Sequence, residues 1–326
     1  MNLKEKSIFH RIYSEGTLVD RFKKENDEGI DVVIPLINTN ELWEKNLYSY
    51  YREMPIKRLI IGDAGCTDDS IKVVKKFPRV TIIDHSKYHS SGYCVKKLIE
   101  EVKTDWFVYL HADVYLPPDW YDKMVEYQDK YDWYECYSKL ITLVEYWAYE
   151  QNEAEREYSG SQMGRTEAFK DVLPKIDDDY LQRSEDIVIG SLIKEAGFKY
   201  ARVPDTFHYH QVMNREGEKE PKFKEVNIIK EPDEEWERKV HDLQVHSVVK
   251  YLQPKPYLVR NVNSSLLHLW KLGKFDWAEY KAWVKKTNPV WLKHIRMKGP
   301  LKYRVLYFGL KFGSKLYDFM KSSKDI

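Results

Sequence analysis

Aspartates and histidines at the ends of apolar runs carry the chemistry this sequence offers: Asp63, Asp113, Asp186 next to Glu185, and His208 with His210. Carboxylate oxygens hold Mg2+ or Mn2+, imidazole nitrogen is acceptable to Mn2+, and such a cation bridges the oxygens of a departing diphosphate. A further carboxylate kept clear of the metal can take a proton from an acceptor hydroxyl. Asp186 is the best placed for that task. Asp113 has the clearest position for a cation, because it follows a run, 107–110, that reads as a buried strand and is then stopped by Pro117 and Pro118. In an α/β sheet, ligands sit beyond the carboxyl ends of the strands. Each acid also has an ordinary use: Asp63 can cap the turn at Gly65, and Glu185 and Asp186 suit the first turn of any helix.

The elements that must position these residues alternate in type. Residues 30–37 read as a buried strand with Pro35 near its end, 41–52 as a helix, 56–61 as a second strand, and 62–70 as a turn dense in carboxylates. A helix over 70–76, a strand over 80–83 and a helix over 91–102 lead into the strand before Asp113. This alternation predicts βαβ units on a parallel sheet, a nucleotide-binding kind of half-domain. Beyond it the pattern predicts a helix over 120–131, a strand and a helix within 134–149, and a small-residue loop over 160–165. Gly160 and Gly164 would there let backbone approach a ligand, or simply make turns. Helices over 166–172 and 187–196 follow, the second stopped by Gly197, then a strand over 198–203. His208 and His210 fall on one side of an extended segment, with Tyr209 opposite.

With 43% hydrophobic and 32% charged residues the chain is that of a folded protein, and 53 basic against 52 acidic residues remove nucleic acid as the default partner. The charge is uneven. From Trp291 onward there are nine Lys or Arg and two Asp, +7, which leaves −6 on the residues before it. Leu301, Val305, Phe308, Phe312, Leu316 and Phe319 form one stripe of a helix expected over 301–321, flanked by Arg304, Lys311 and Lys315. A basic amphipathic tail fits an anionic membrane surface, and packing on the rest of the protein would explain the same stripe. Cys66, Cys94 and Cys136 are too far apart for a disulfide framework or a cysteine zinc site, which suits a reducing compartment. No secretory apolar segment opens the sequence and no run of 18 apolar residues occurs, so the expectation is a cytoplasmic protein, peripheral on the cytoplasmic face of the membrane through its tail.

Three fragments together carry a family resemblance over residues 31–210. Ile61-Gly62-Asp63-Ala64-Gly65-Cys66-Thr67-Asp68-Asp69-Ser70 resembles the Val-Asp-Asp-Gly-Ser-Thr-Asp-Asp-Thr segment of the family 2 glycosyltransferases, His111-Ala112-Asp113 resembles their Asp-x-Asp motif, and Glu185-Asp186 their Glu-Asp motif. The resemblance implies the α/β GT-A fold, a mostly parallel central sheet flanked by helices. It implies that Asp63 meets the nucleotide base, that Asp113 binds a Mn2+ or Mg2+ ion, and that Asp186 is the catalytic base. Pro35, Gly65, His111 and Ala112 become further candidate contacts of the nucleotide sugar. Similar transferases add a metal-binding histidine after the later strand; His210 is preferred here, with His208 as the alternative.

The departures are informative. His111 stands where the family has its first aspartate, and the Gln-x-x-Arg-Trp motif of processive members is missing, so transfer of one sugar is expected. The expected donor is a UDP-sugar, with GDP-mannose as competitor, and the acceptor a hydroxyl, lipid-linked if the tail meets a membrane. The expected division is a peripheral helical segment over 1–29, the catalytic domain over 30–213, a mobile loop or lid over 214–238, and a helical region over 239–326. Two rivals are a nucleotidyltransferase, which would want a Gly-rich, Lys-bearing loop where 36–40 offer none, and a non-catalytic membrane-recruited scaffold with a degenerate metal motif.

Overall fold

The apolar runs of the first third become parallel strands: β1 (Ile30–Leu36), β2 (Ile56–Asp63), β3 (Val80–Asp84) and β4 (Trp106–Leu110). They lie side by side in the order β3-β2-β1-β4. Val32, Val33 and Ile34 are all fully buried, as an unbroken apolar run must be when helices cover both faces of a parallel sheet. The covering helices are α1 (Trp43–Glu53), α2 (Ser70–Val74) and α3 (Ser91–Glu100). The computed structural model describes residues 29–39, 43–88, 91–144, 147–150, 159–176, 185–211, 245–271 and 276–295.

The sheet continues with β5 (Val114–Tyr115), β6 (Trp133–Val144), β7 (Trp147–Glu150), β8 (Ser161–Arg165) and β9 (Tyr200–Gln211), and helices α4 (Trp120–Val125), α5 (Thr166–Val172) and α6 (Glu185–Glu195) lie between them in the chain. The spatial order is β4-β8-β6-β9-β5, with β7 on β6. Here β8 runs antiparallel to both its neighbours, β6 and β9 are parallel, and β5 is antiparallel to β9. The result is a mixed sheet whose β4 ends between the two halves.

Four expectations need correction. Residues 161–165 form a paired internal strand and no loop. The run lacks alternation because Gly164 must stay bare: a Cβ there would lie 2.3 Å from Phe169 Cε2. Residues 134–149 supply a strand and its antiparallel hairpin partner, with no helix among the described residues. The helix expected over 120–131 stops at Val125. Beyond it Tyr127 and Tyr131 stack at 6.2 Å and both rings lean on Tyr134, so aromatic packing ends the helix where periodicity alone would extend it. The strand expected over 198–203 and the histidine segment after it are one strand, β9, with a register shift opposite Cys136 and Tyr137.

The chain divides into two units, Met1–Glu231 and Pro232–Ile326. The second contains a helical stretch at 245–251, α7 (Pro256–Lys271), α8 (Trp277–Thr287) and the 3-10 turn Pro289–Lys293. Asp276 caps α8 by accepting from Ala278 N at 2.8 Å and Glu279 N at 3.0 Å. Fully buried Trp291 donates to Leu252 O at 2.7 Å inside this unit. Among the described residues no helix is long and apolar enough to cross a membrane. The expected peripheral segment at 1–29, apart from Gly29, the lid at 214–238 and the basic helix at 301–321 lie outside the described residues.

Candidate active site

Asp113 occupies the short turn between β4 and β5. His111 N donates to Gly160 O at 2.9 Å, and Val114 pairs with His210 across the β5–β9 ladder. That pairing brings Asp113 Oδ2 to 3.4 Å from His210 Nε2. The Asp113 side chain keeps 42% of its surface open, yet its Oδ1 is buried and has no hydrogen-bond partner. Asp113 thus lies at the open end of the strands with one acceptor unspent. Burial by itself would raise the Asp113 pKa, but His210 and then His111 outweigh it and hold the carboxyl well below the usual range. Burial pulls His210 down, and the Asp113 carboxylate more than restores it, so the imidazole is held above its ordinary value. His111, 6.2 Å from His210 between ring centroids, is lowered chiefly by burial.

His208 lies deeper. It is fully buried, its Nδ1 is 2.9 Å from Ser161 Oγ and 3.5 Å from Cys136 Sγ, and burial holds it well below its ordinary pKa, in the neutral form. Gly160 separates it from the turn. A Cβ at Gly160 would stand 2.8 Å from Val114 Cγ2, 2.9 Å from His208 Nε2 and 3.0 Å from His210 Nδ1, so only glycine lets the two histidines and β5 close up. His210 therefore shares the cleft with Asp113, and His208 backs it from inside.

Asp186 stands in the first turn of α6, half-buried, its Oδ1 accepting from Ile187 N at 2.8 Å. It lies near enough to His111 and Tyr109 for its carboxylate to bear on both. Tyr109 links α6 to the Asp113 turn: its hydroxyl hydrogen-bonds Glu185, and its ring is 5.3 Å from His111. Burial foremost, then Glu185, Asp186 and Asp113, push the phenol well above its usual pKa, which keeps it a hydrogen-bond donor.

At the same end of the sheet, two strands away on β2, Asp63 Oδ1 accepts from Gly65 N at 3.0 Å and Cys66 N at 2.8 Å, while Gly65 takes φ +96°. One carboxylate oxygen thus makes the turn that residues of this kind ordinarily make. Half-buried Pro35 pairs with Gly62 beside it, and Ala112 sits in the Asp113 turn, so the candidate contacts line one end of the sheet from β2 to β5.

Sequence reasoning missed a polar row across the sheet. Tyr109, Gln162, Glu135 and Arg202 stand opposite one another on β4, β8, β6 and β9. Glu135 is 3% exposed; its Oε1 accepts from Tyr200 and Arg202, its Oε2 from Ser159 at 2.5 Å and Gln162 at 3.5 Å. A charged residue between Tyr134 and Cys136 in a β-forming run was the available signal, since such a residue is buried only when paired.

Among the described residues no three His, Cys, Asp or Glu side chains converge tightly enough to hold a metal by themselves. The donors present are a carboxylate with an unspent oxygen and an adjacent imidazole. Two protein ligands fit a Mg2+ or Mn2+ ion that takes its remaining oxygens from substrate phosphates and water.

A parallel half-sheet with acidic residues at its open end, extended by a mixed half that returns a histidine to the same place, defines an α/β GT-A type of transferase domain. Residues 31–178, a little under half of the chain, match the model described as Glycosyl transferase family 2. No curated protein matches the chain. Among solved structures, S. aureus TarS 1-349 in complex with UDP-GlcNAc is 13% identical at TM-score 0.48 and covers 85% of this chain and 83% of that one. The bifunctional IspDF from Campylobacter jejuni is 18% identical at TM-score 0.36, and the alignment covers 54% of this chain and about half (49%) of that one. HddC from Yersinia pseudotuberculosis is 13% identical at TM-score 0.41, covering 56% and 93%.

Proposed function

We propose that this glycosyltransferase domain moves a single sugar from a nucleotide diphosphate sugar, a UDP-sugar before GDP-mannose, to a hydroxyl acceptor with inversion. The observation that carries the reading is the meeting of Asp113 with His210, 3.4 Å apart at the open end of the strands, with the Asp186 carboxylate near enough to bear on His111. Asp113 and His210 would hold a divalent cation, and that ion supplies charge neutralisation for the departing diphosphate. Asp186 takes the acceptor proton as the acceptor oxygen bonds to the anomeric carbon and the bond from that carbon to the phosphate oxygen breaks. Asp63 meets the nucleotide base with its second oxygen, the first being spent on the turn. Tyr109 holds Glu185 and with it the first turn of α6.

A lipid-linked acceptor at an anionic surface accounts for the basic tail. The test is a donor screen by nucleotide-sugar hydrolysis with Mn2+ present. Release of nucleoside diphosphate from one donor is expected. Release of pyrophosphate from a nucleoside triphosphate and a sugar phosphate would instead mark a nucleotidyltransferase.

A further inference from the structure

Helix α1 buries polar side chains on the stripe where a helix against a sheet ordinarily buries apolar ones. Asn46 and Ser49 are 1% exposed and Glu53 6%, at spacings of three and four. Such groups go inside only when their hydrogen bonds are met there. Residues 111–116 meet most of them, while Glu53 accepts from Arg52 and from Trp120 N at 3.3 Å, and Asn46 Oδ1 has no partner. Asn46 Nδ2 donates to Ala112 O at 2.8 Å, and the fully buried Tyr50 hydroxyl donates to Val114 O at 2.7 Å, with His111 O at 3.1 Å. Farther along, Ser49 Oγ accepts from Leu116 N at 3.1 Å, and Arg52 Nη2 donates to Leu116 O at 2.7 Å.

The carbonyls on both sides of Asp113 are thus tied to one helix, while the buried Asp113 Oδ1 has no hydrogen-bond partner. At its other end the same helix holds the nucleotide side: Trp43 Nε1 donates to Ser70 O at 3.2 Å, closing the turn that begins at Asp63. Strand pairing fixes Val114 but leaves the peptides of Ala112 and Asp113 to be set by something else.

We propose that Asn46 and Tyr50 are positioning residues for the cation, setting the Asp113 carboxylate through the backbone carbonyls of residues 111, 112 and 114. This rests on the reading of Asp113 as a metal ligand. Outer partners of metal ligands are normally side chains bonded to the ligand itself; here they act through the main chain, and from a helix that also holds the nucleotide turn.

The experiment is a titration of the full chain with Mn2+ in the presence of UDP, read by electron paramagnetic resonance of the free ion. Tyr50→Phe keeps the ring and removes the hydroxyl, and Asn46→Ser removes the amide; each is expected to weaken Mn2+ binding about tenfold. UDP binding without metal stays unchanged. Tyr51→Phe is the control, because its hydroxyl donates to Pro78 O, away from the turn, and Mn2+ affinity should be unaltered. Folded Tyr50→Phe and Asn46→Ser with Mn2+ affinities within about twofold of wild type would overturn the proposal. So would loss of fold in both, which assigns the two residues to stability alone. A wild type that binds no Mn2+, or Asp113→Ala that binds it like wild type, overturns the cation reading instead.

Discussion

Replacing Gly190 by alanine sets two effects of opposite sign against each other. Gly190 lies in α6 one turn beyond Asp186 and on the same face. In an ordinary helix interior the change gains about 1 kcal/mol, because glycine forfeits more backbone entropy. Here the added Cβ would stand 1.8 Å from Trp133 Cζ3 and 2.3 Å from Cη2. The indole has nowhere to go: it is 4% exposed, 4.7 Å from the Tyr200 ring and 5.9 Å from the Phe169 ring. Relief must come from α6 lifting off the sheet, an overpacking cost at or above the top of the usual ~1–3 kcal/mol. The net expectation is a loss of about 2 kcal/mol, roughly 4–8 °C in melting temperature for a unit of this size. Because α6 carries Asp186, sugar transfer should fall by more than the folded fraction does. Urea melts of Gly190→Ala, Trp133→Leu and the double variant form a cycle that isolates the clash. In the Trp133→Leu background, Gly190→Ala should be neutral or stabilising by up to about 1 kcal/mol. A neutral or stabilising Gly190→Ala in the wild-type background would refute the reasoning.

Other outcomes follow from the site. Asp186→Asn should keep nucleotide binding and lose transfer by about 10^2-fold or more, measured as initial rate against donor affinity; full-rate transfer would remove Asp186 from the role of base. Gly160→Ala pushes Val114, His208 and His210 apart, so it should cost about 1–3 kcal/mol in a urea melt and weaken Mn2+ binding together. Unchanged Mn2+ affinity would detach the histidines from the cation. Glu135→Gln leaves Arg202 short of its carboxylate in a buried row and should cost about 3–5 kcal/mol in the same melt, whereas a loss under about 1 kcal/mol would show the row to be open to water. A chain truncated after Pro300 should lose flotation with anionic liposomes, and undiminished flotation would end the membrane role of the tail.

Much of the parallel half was legible in the sequence, because a strand buried on both faces must be apolar throughout and its end is marked locally by turn residues. Asp63 and Asp113 stood out for that reason, each directly after such a run. The mixed half was harder to read. Residues 161–165 carry no strand pattern, since Gly164 is kept bare by Phe169 and Ser161 is spent on His208. Glu135 drew no notice in the sequence, because its partners come from β8 and β9. Asn46, Ser49 and Tyr50 are ordinary helix residues until residues 111–116 are laid against them.

By itself the sequence determined the alternation of elements, the family fragments and the acids that end the strands, all properties of contiguous residues. Tertiary structure alone decided which of two histidines stands beside Asp113. His208 and His210 are equivalent on one face of a strand, and only the register of β9 with β5, which sets His210 opposite Val114, together with the bare Cα of Gly160, turns one toward the cleft and seals the other beneath it. Register is a long-range property: it is set by strand partners distant in the chain, and no local pattern records it.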